Sequence, residues 1–241
     1  MPRPAVVFAS GQLLTAECWA PQVAALSADY DLRFSDHTRD ETIAGMAARL
    51  LGEAPPRFHL VAHAMGGFTA FEVLRQAPER VISLVLIATL AANDGPAQTE
   101  RRQGYIRLVE DGKFAEVVEE RIPILVHPAR REDEPLLAVV RRMAADTGAE
   151  TFLRQQRAIM GRPDSRPSLA AIAVPTLVVR GAQDGITTPA HVDEIIGGIA
   201  GARFEEIADC GHLPTLEKPV TTNRLLAGWL AEHDQRPGSE A

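Results

Sequence analysis

Cysteine is nearly missing from this chain: Cys18 and Cys210 are the two found in 241 residues. Neither sits in a CxxC pair or other metal-ligand spacing, which removes a zinc ribbon and a disulfide framework from consideration. Long apolar runs are missing too, since none reaches the roughly 18 residues that span a bilayer. Met1-Pro2-Arg3-Pro4 leads straight into a strand pattern and holds no secretory leader, so a cytoplasmic protein is expected. Positive charge is in deficit, and a net charge of −7 argues against nucleic acid, which demands a basic face. No internal repeat and no sustained heptad pattern occur, so the oligomeric state is not readable.

What remains is ordinary globular material, 46% hydrophobic and 24% charged, long enough for one large α/β domain with or without an insertion. Ala5 to Ala9 is a short buried strand, followed by the loop Ser10 to Thr15. Trp19, Val23 and Leu26 share one face of a helix expected from Trp19 to Ala28. Leu32 and Phe34 mark the next strand, ending at Ser35-Asp36. A second helix is expected to begin at Asp40-Glu41-Thr42, its acidic residues set against the helix dipole, and to stop at Pro55-Pro56. Another ends near Gln76-Ala77-Pro78, and Val81 to Ala88 then reads as a strand buried on both faces. This alternation predicts an α/β fold, a mostly parallel sheet with helices on both faces.

After Asn93-Asp94-Gly95-Pro96 the alternation breaks. About four short helices are expected from Gln98 to Met160, punctuated by Asp111-Gly112, Pro123, His127-Pro128, Pro135 and Thr147-Gly148. Strand and helix signals resume at Val174 to Arg180, Ala190 to Ile199, Arg203 to Ile207 and Pro219 to Glu232. The expected division is a core of residues 1–95 and 166–233, a helical cap of residues 96–165 inserted after the strand ending near Ala88, and a flexible tail at 234–241. Residues 101–166 hold 13 basic against 11 acidic side chains, leaving −9 to the rest. A basic lid would favour anionic substrates; the plainer reading, solvated faces of amphipathic helices, is preferred.

The absence with the largest chemical consequence is one hydroxyl. Phe58 to Ala70 is an apolar strand that turns through small residues into a helix. A nucleophile elbow needs small-x-nucleophile-x-Gly there, because larger neighbours collide with the returning helix, and Ala62, Ala64 and Gly66 fill that frame. Position 64 thus holds Ala where a catalytic elbow carries Ser. Met65 follows, its N–H at the helix start and free to donate to a developing oxyanion. Asp184 and His212 stand in loops that leave two later strands at the sheet edge where open α/β folds bind ligands. Alone, Asp184 reads equally well as a turn cap, and His212 as an ordinary loop histidine. Their occurrence together, in the order nucleophile position, acid, histidine, carries the reading.

On these residues the chain resembles the α/β-hydrolases of the compact, helically capped kind, over nearly its whole length. The resemblance implies that Asp184 orients His212, that His212 is the general base, and that the amides of Gln12 and Met65 form the oxyanion hole. Gly11-Gln12 stands in for the family's oxyanion loop, with Ser10 where a His often precedes the Gly. It implies a small-molecule acyl substrate, a carboxylic ester, lactone or thioester, and calls for no cofactor, metal, nucleic acid or membrane. Ala64 is the departure. A Ser-to-Ala change is the smallest edit that stops acyl transfer and keeps shape, whereas natural loss would erode several sites, including a turn whose strain costs roughly 1–3 kcal/mol. An inactivated form is therefore expected. The alternatives are a non-catalytic small-molecule binding protein, a C–C bond or amide hydrolase, and proton abstraction or dehydration by the His212–Asp184 pair alone.

Gly11, Gln12, Trp19, His127 and Arg130 are candidate substrate-binding residues, although Trp19, His127 and Arg130 read at least as well as surface or packing residues, and Asp36-His37 at a strand end is another candidate. His59 and His63 read as packing, with no carboxylate placed to complete a metal site. Cys210 is a poor substitute nucleophile, because no oxyanion donors are aimed at it. Gly66-Gly67 lacks the third glycine and the ribose-binding carboxylate of a dinucleotide fingerprint.

Overall fold

The computed structural model describes residues 3–234; of the tail expected at 234–241, all but Asp234 lies outside them. Six strands, β1 Ala5–Ala9, β2 Asp31–Phe34, β3 Phe58–His63, β4 Val81–Ile87, β5 Thr176–Gly181 and β6 Arg203–Ile207, form one sheet of order β2-β1-β3-β4-β5-β6. Every pairing is parallel. Among the described residues the α-helices are α1 Ala20–Leu26, α2 Ile43–Glu53, α3 Met65–Gln76, α4 Pro96–Glu110, α5 Phe114–Leu125, α6 Glu134–Thr147, α7 Ala149–Met160, α8 Pro189–Gly198, α9 Pro214–Glu217 and α10 Pro219–His233.

Strand side chains alternate between two apolar layers, as their period of two requires. Val7, Ala9, Leu60, Ala62 and Leu86 pack on α2, α3 and α8 through Leu50, Phe71 and Ile195. Val6, Phe8, Val61, Val85 and Ile87 pack on α1 and α10 through Leu26, Leu226 and Trp229. The chain runs outward from β1 to β2 and then returns to place β3 on the other side of β1. That reversal opens a crevice at the carboxyl ends of β1 and β3, the place where doubly wound sheets take ligands.

Helices α4 to α7 lie between β4 and β5 in the chain and have a core of their own. Val117, Ile122, Leu137, Val140 and Phe152 close against Leu13 and Leu213, which belong to the loops after β1 and β6. The insertion is therefore anchored on the crevice.

Three local expectations need correction. α2 starts at Ile43, because Thr42 adopts an extended backbone and its Oγ1 accepts from the Gly45 amide at 3.0 Å. Asp40 and Glu41 fall before the helix, where Asp40 pairs with Arg49 at 2.7 Å. The first helix spans Ala20–Leu26, shorter than the expected Trp19 to Ala28, because Trp19 closes a 3-10 turn at Ala16–Trp19. Pro123 lies inside α5 and does not end it at once; the helix runs on only to Leu125. Pro135 sits in the first turn of α6, where a missing N–H breaks no hydrogen bond.

Candidate active site

Backbone strain collects at the carboxyl edge of the sheet. Leu13, Ala64, Ala88 and Asp209 have φ of 61°, 50°, 49° and 50°, each in a loop leaving a strand. Non-glycine residues avoid this region unless their surroundings hold them there. At Ala64 the hold is visible: its amide donates to Ile87 O at 2.9 Å, and its carbonyl accepts from Gly67 N at 2.9 Å and Thr89 Oγ1 at 2.8 Å. A Cβ on Gly66 would stand 2.0 Å from the Ala9 carbonyl oxygen, and one on Gly67 2.3 Å from Thr89 Oγ1. Both positions admit only glycine. Met65 is the first residue of α3, so its amide has no partner within the helix.

Asp184 and His212 meet across two loops. His212 Nδ1 lies 3.0 Å from Oδ1 and 2.9 Å from Oδ2 of Asp184. The same Oδ1 accepts from the amides of Ile186 at 2.8 Å and Thr187 at 3.0 Å, so Asp184 caps its own turn and holds the imidazole at once. Burial pushes this carboxyl up, but the imidazole and the two amides outweigh it and keep the group below the usual carboxylate range. The loops touch at glycine: a Cβ on Gly181 would lie 2.1 Å from Gly211 O.

Glu217, which sequence reasoning missed, brackets the histidine. Its Oε1 accepts from Gly211 N at 3.0 Å and Leu213 N at 3.1 Å, and its Oε2 from His127 N at 2.7 Å. The available signal was a lone acid closing the apolar stretch Leu213 to Leu216. His63 Nε2 donates to the His212 carbonyl at 2.7 Å. Burial, followed by the neighbouring His212, pushes His63 down to about 3, so its ring is neutral and structural.

A cavity of about 390 Å³ opens here, lined by Gln12, Ala64, Met65, Phe68, His212 and Leu213 among others. Gly11 stands beside it, since a Cβ there would come within 3.1 Å of Ala64 Cβ. Other candidates lie elsewhere. Trp19 is fully buried beneath the loop, its Nε1 donating to Ser10 Oγ at 2.9 Å and its ring against Phe8. His127 and Arg130 do not line the cavity: Arg130 bonds Asp133 and, at 2.9 Å, the Glu217 carbonyl. That turn secures the His212 loop. His37 contacts Ser10 O at 3.1 Å and Ser35 Oγ at 3.0 Å, and burial pushes it down to about 4. Asp36 caps Thr38. Burial raises the Cys210 thiol far above neutrality, which disarms it.

The preference for solvated arginines on the insertion holds for Arg107, Arg141, Arg142 and Arg157 and needs correction at the cavity. Arg101, Arg102, Arg121 and Arg162 line the cavity beside one carboxylate, Asp94, while Arg107 and Arg141 do lie in surface ion pairs. Among the described residues no group of three or more His, Cys, Asp and Glu is placed to hold a metal ion, and no helix is long and apolar enough to cross a membrane.

Comparison with known proteins agrees with this architecture. The profile of the "Alpha/beta hydrolase family" matches residues 6–225. A protein of Azorhizobium caulinodans named "Putative carbamate hydrolase RutD" is 30% identical, over 95% of this chain and 92% of its own length. A thermophilic esterase from Thermogutta terrifontis, solved with malate bound, superposes with a TM-score of 0.87 at 26% identity, covering 96% of this chain and 91% of that one. The enol-lactonase from Burkholderia xenovorans LB400 gives 0.87 at 25% identity, covering 96% and 92%. With the parallel sheet, the strained elbow and the profile spanning nearly the whole chain, this protein belongs to the α/β-hydrolase family, a family of hydrolases.

Proposed function

We propose that this scaffold hydrolyses a small carboxylic ester, lactone or thioester through Ser at position 64, His212 and Asp184, and that Ala64 makes the present chain a form that binds substrate without attacking it. The observation that carries this reading is the His212–Asp184 contact, at 2.9 and 3.0 Å, behind a cavity whose wall includes both His212 and the strained position 64. In the Ser form, His212 takes the hydroxyl proton as the oxygen attacks the carbonyl. The tetrahedral oxyanion is received by the amides of Gln12 and Met65, and water activated by His212 then releases the acid. Asp184 keeps the imidazole in the tautomer that presents Nε2. The same proposal assigns residues 96–165 as a cap over a core of residues 1–95 and 166–233, and places the protein in the cytoplasm.

The names of the similar proteins support this choice of chemistry, since an esterase and an enol-lactonase are among them. A second reading rests on Ala64 itself: a family member that retains the cavity but has no hydroxyl at the elbow binds a small molecule and does not transform it. Replacing Ala64 with Ser and exposing both forms to a fluorophosphonate and a panel of short aryl esters and lactones separates the two. Labelling at position 64 with hydrolysis in the Ser form alone supports the hydrolase. Silence of the Ser form toward probe and panel favours the binding protein.

A further inference from the structure

The wall of the cavity built by the insertion offers more hydrogen-bond donors than the protein uses. The half-buried side chain of Arg121, on α5, makes no hydrogen bond or ion pair among the described residues, and its Nη1 is sealed from solvent. Its guanidinium lies 5.5 Å from the Phe152 ring centroid, a surface that supports the plane and supplies no anion. Burial and the nearby Arg102 push it down to about 10, which leaves it charged at neutral pH. Gln156 accepts from Arg102 Nη1 at 2.9 Å through Oε1, leaving its Nε2 buried and unpartnered. Gln12 Nε2 is buried without a partner as well. All three residues line the cavity, and Gln12 and Arg121 also share a small annex with Leu14 and Leu125.

Among the described residues none supplies an acceptor for them. Asp94, the carboxylate on this wall, is already held by Arg102 at 2.5 Å and Arg162 at 2.8 Å. A guanidinium half-buried without an anion is costly, and three cavity-lining side chains that each hold an idle donor make the cost local to a ligand site. A guanidinium fork and two amide N–H groups match the acceptor positions of a carboxylate, whose two oxygens take about four hydrogen bonds. Phe68, Ile159 and Leu213 line the same space and suit an apolar body.

Resting on the ester or lactone reading above, we propose that the ligand carries a carboxylate of its own, bound by Arg121 with Gln156 and Gln12. The substrate class is then the half-esters of dicarboxylic acids and lactones bearing a carboxylate, and the neutral diesters are poor ligands.

Calorimetry on the Ala64 chain with monomethyl adipate and dimethyl adipate tests this. The half-ester is expected to bind roughly 10- to 100-fold more tightly, the worth of a charge-assisted contact. Arg121→Gln should collapse that ratio to about one while leaving the diester's affinity in place. Gln156→Leu should narrow it, and added salt should weaken the half-ester alone. The two last measurements serve if Arg121→Gln does not fold. Equal affinities in the parent chain, a ratio that survives both substitutions, or tighter binding of a phosphate monoester of the same body each overturn the proposal. Failure of the hydrolase reading looks different: the Ala64→Ser form would then discriminate half-ester from diester in binding and hydrolyse neither. A Ser form that cleaves both esters equally well keeps the hydrolase and removes the carboxylate.

Discussion

The two walls of the cavity follow opposite rules. On the sheet side the acidic groups are saturated: Asp184 holds an imidazole and two amides, and Glu217 holds three amides around the His212 loop. On the insertion side donors outnumber acceptors, and Arg121 and Gln156 have N–H groups that no described residue answers. A saturated wall fixes geometry before any ligand arrives. An unsaturated wall is completed by the ligand. Under the proposed function the difference divides the labour, reaction falling to loops at the sheet edge and recognition mainly to α5 and α7, with Gln12 from the loop after β1.

The largest effect expected from the sheet side is catalytic. Ala64→Ser should raise ester or lactone turnover by about 10⁶-fold over the parent chain, the order lost when such a nucleophile is removed. In that Ser form, Asp184→Asn should lower kcat by about 10⁴-fold, because the amide no longer selects the tautomer that leaves Nε2 free. Turnover that survives Asp184→Asn would mean that His212 is oriented by something else, and the sheet wall would lose its assigned part.

Acid should weaken the sheet side next. His37, His59 and His63 are all buried there, and burial lowers them to about 4, about 4 and about 3. Free histidine titrates near 6.5, so between that value and these the unfolded chain binds protons that the folded chain refuses. Stability is full above pH 6.5 and falls as pH drops. By pH 5 the three together should remove on the order of 5 kcal/mol. Urea midpoints at pH 7 and pH 5 measure it, and equal midpoints would show that these rings are not shielded. Asp184, held below its free range, adds its own loss only at lower pH. A smaller loss, about 2–3 kcal/mol, is expected for Glu217→Gln, since an amide cannot accept on both sides and leaves a buried N–H unanswered. Unchanged urea stability would mean the His212 loop does not depend on that bracket.

The same contrast explains what the sequence disclosed. The elbow was legible because its demand is steric and local: Gly66 and Gly67 follow position 64 with one residue between and face Ala9 and Thr89 at distances no side chain permits. The parallel sheet was legible from runs such as Val81 to Ile87, apolar on both faces. The meeting of Asp184 with His212 followed from two loops on adjacent strands, β5 and β6. Glu217 was not legible, because its partners include His127, 90 positions earlier. Arg121 and Gln156 were not legible either, because helix packing within the insertion has no local motif and their significance lies in contacts they do not make. Trp19 and Arg130 stayed ambiguous for a related reason: an aromatic or a charge near a sheet edge serves equally well to pin a loop, and here both do.

The smallest effect is also the most pointed, because its sign is not that of Glu217→Gln, the other substitution read as stability. Removing a satisfied group such as Glu217 should destabilise the protein, whereas removing an unsatisfied one should not. Arg121→Met keeps the unbranched stem against Phe152 and deletes a half-buried charge whose sealed Nη1 has no hydrogen bond among the described residues. Losing the ring contact costs about 0.5–1 kcal/mol, and relieving the buried orphan returns about 1–3 kcal/mol. The expected result is a melting temperature unchanged or raised by about 2–4 °C, the shift that about 1 kcal/mol produces in a chain of this size. A fall of several degrees would mean that the guanidinium stabilises the fold, and the insertion wall would then be saturated like the sheet wall, with no vacancy for a ligand to fill.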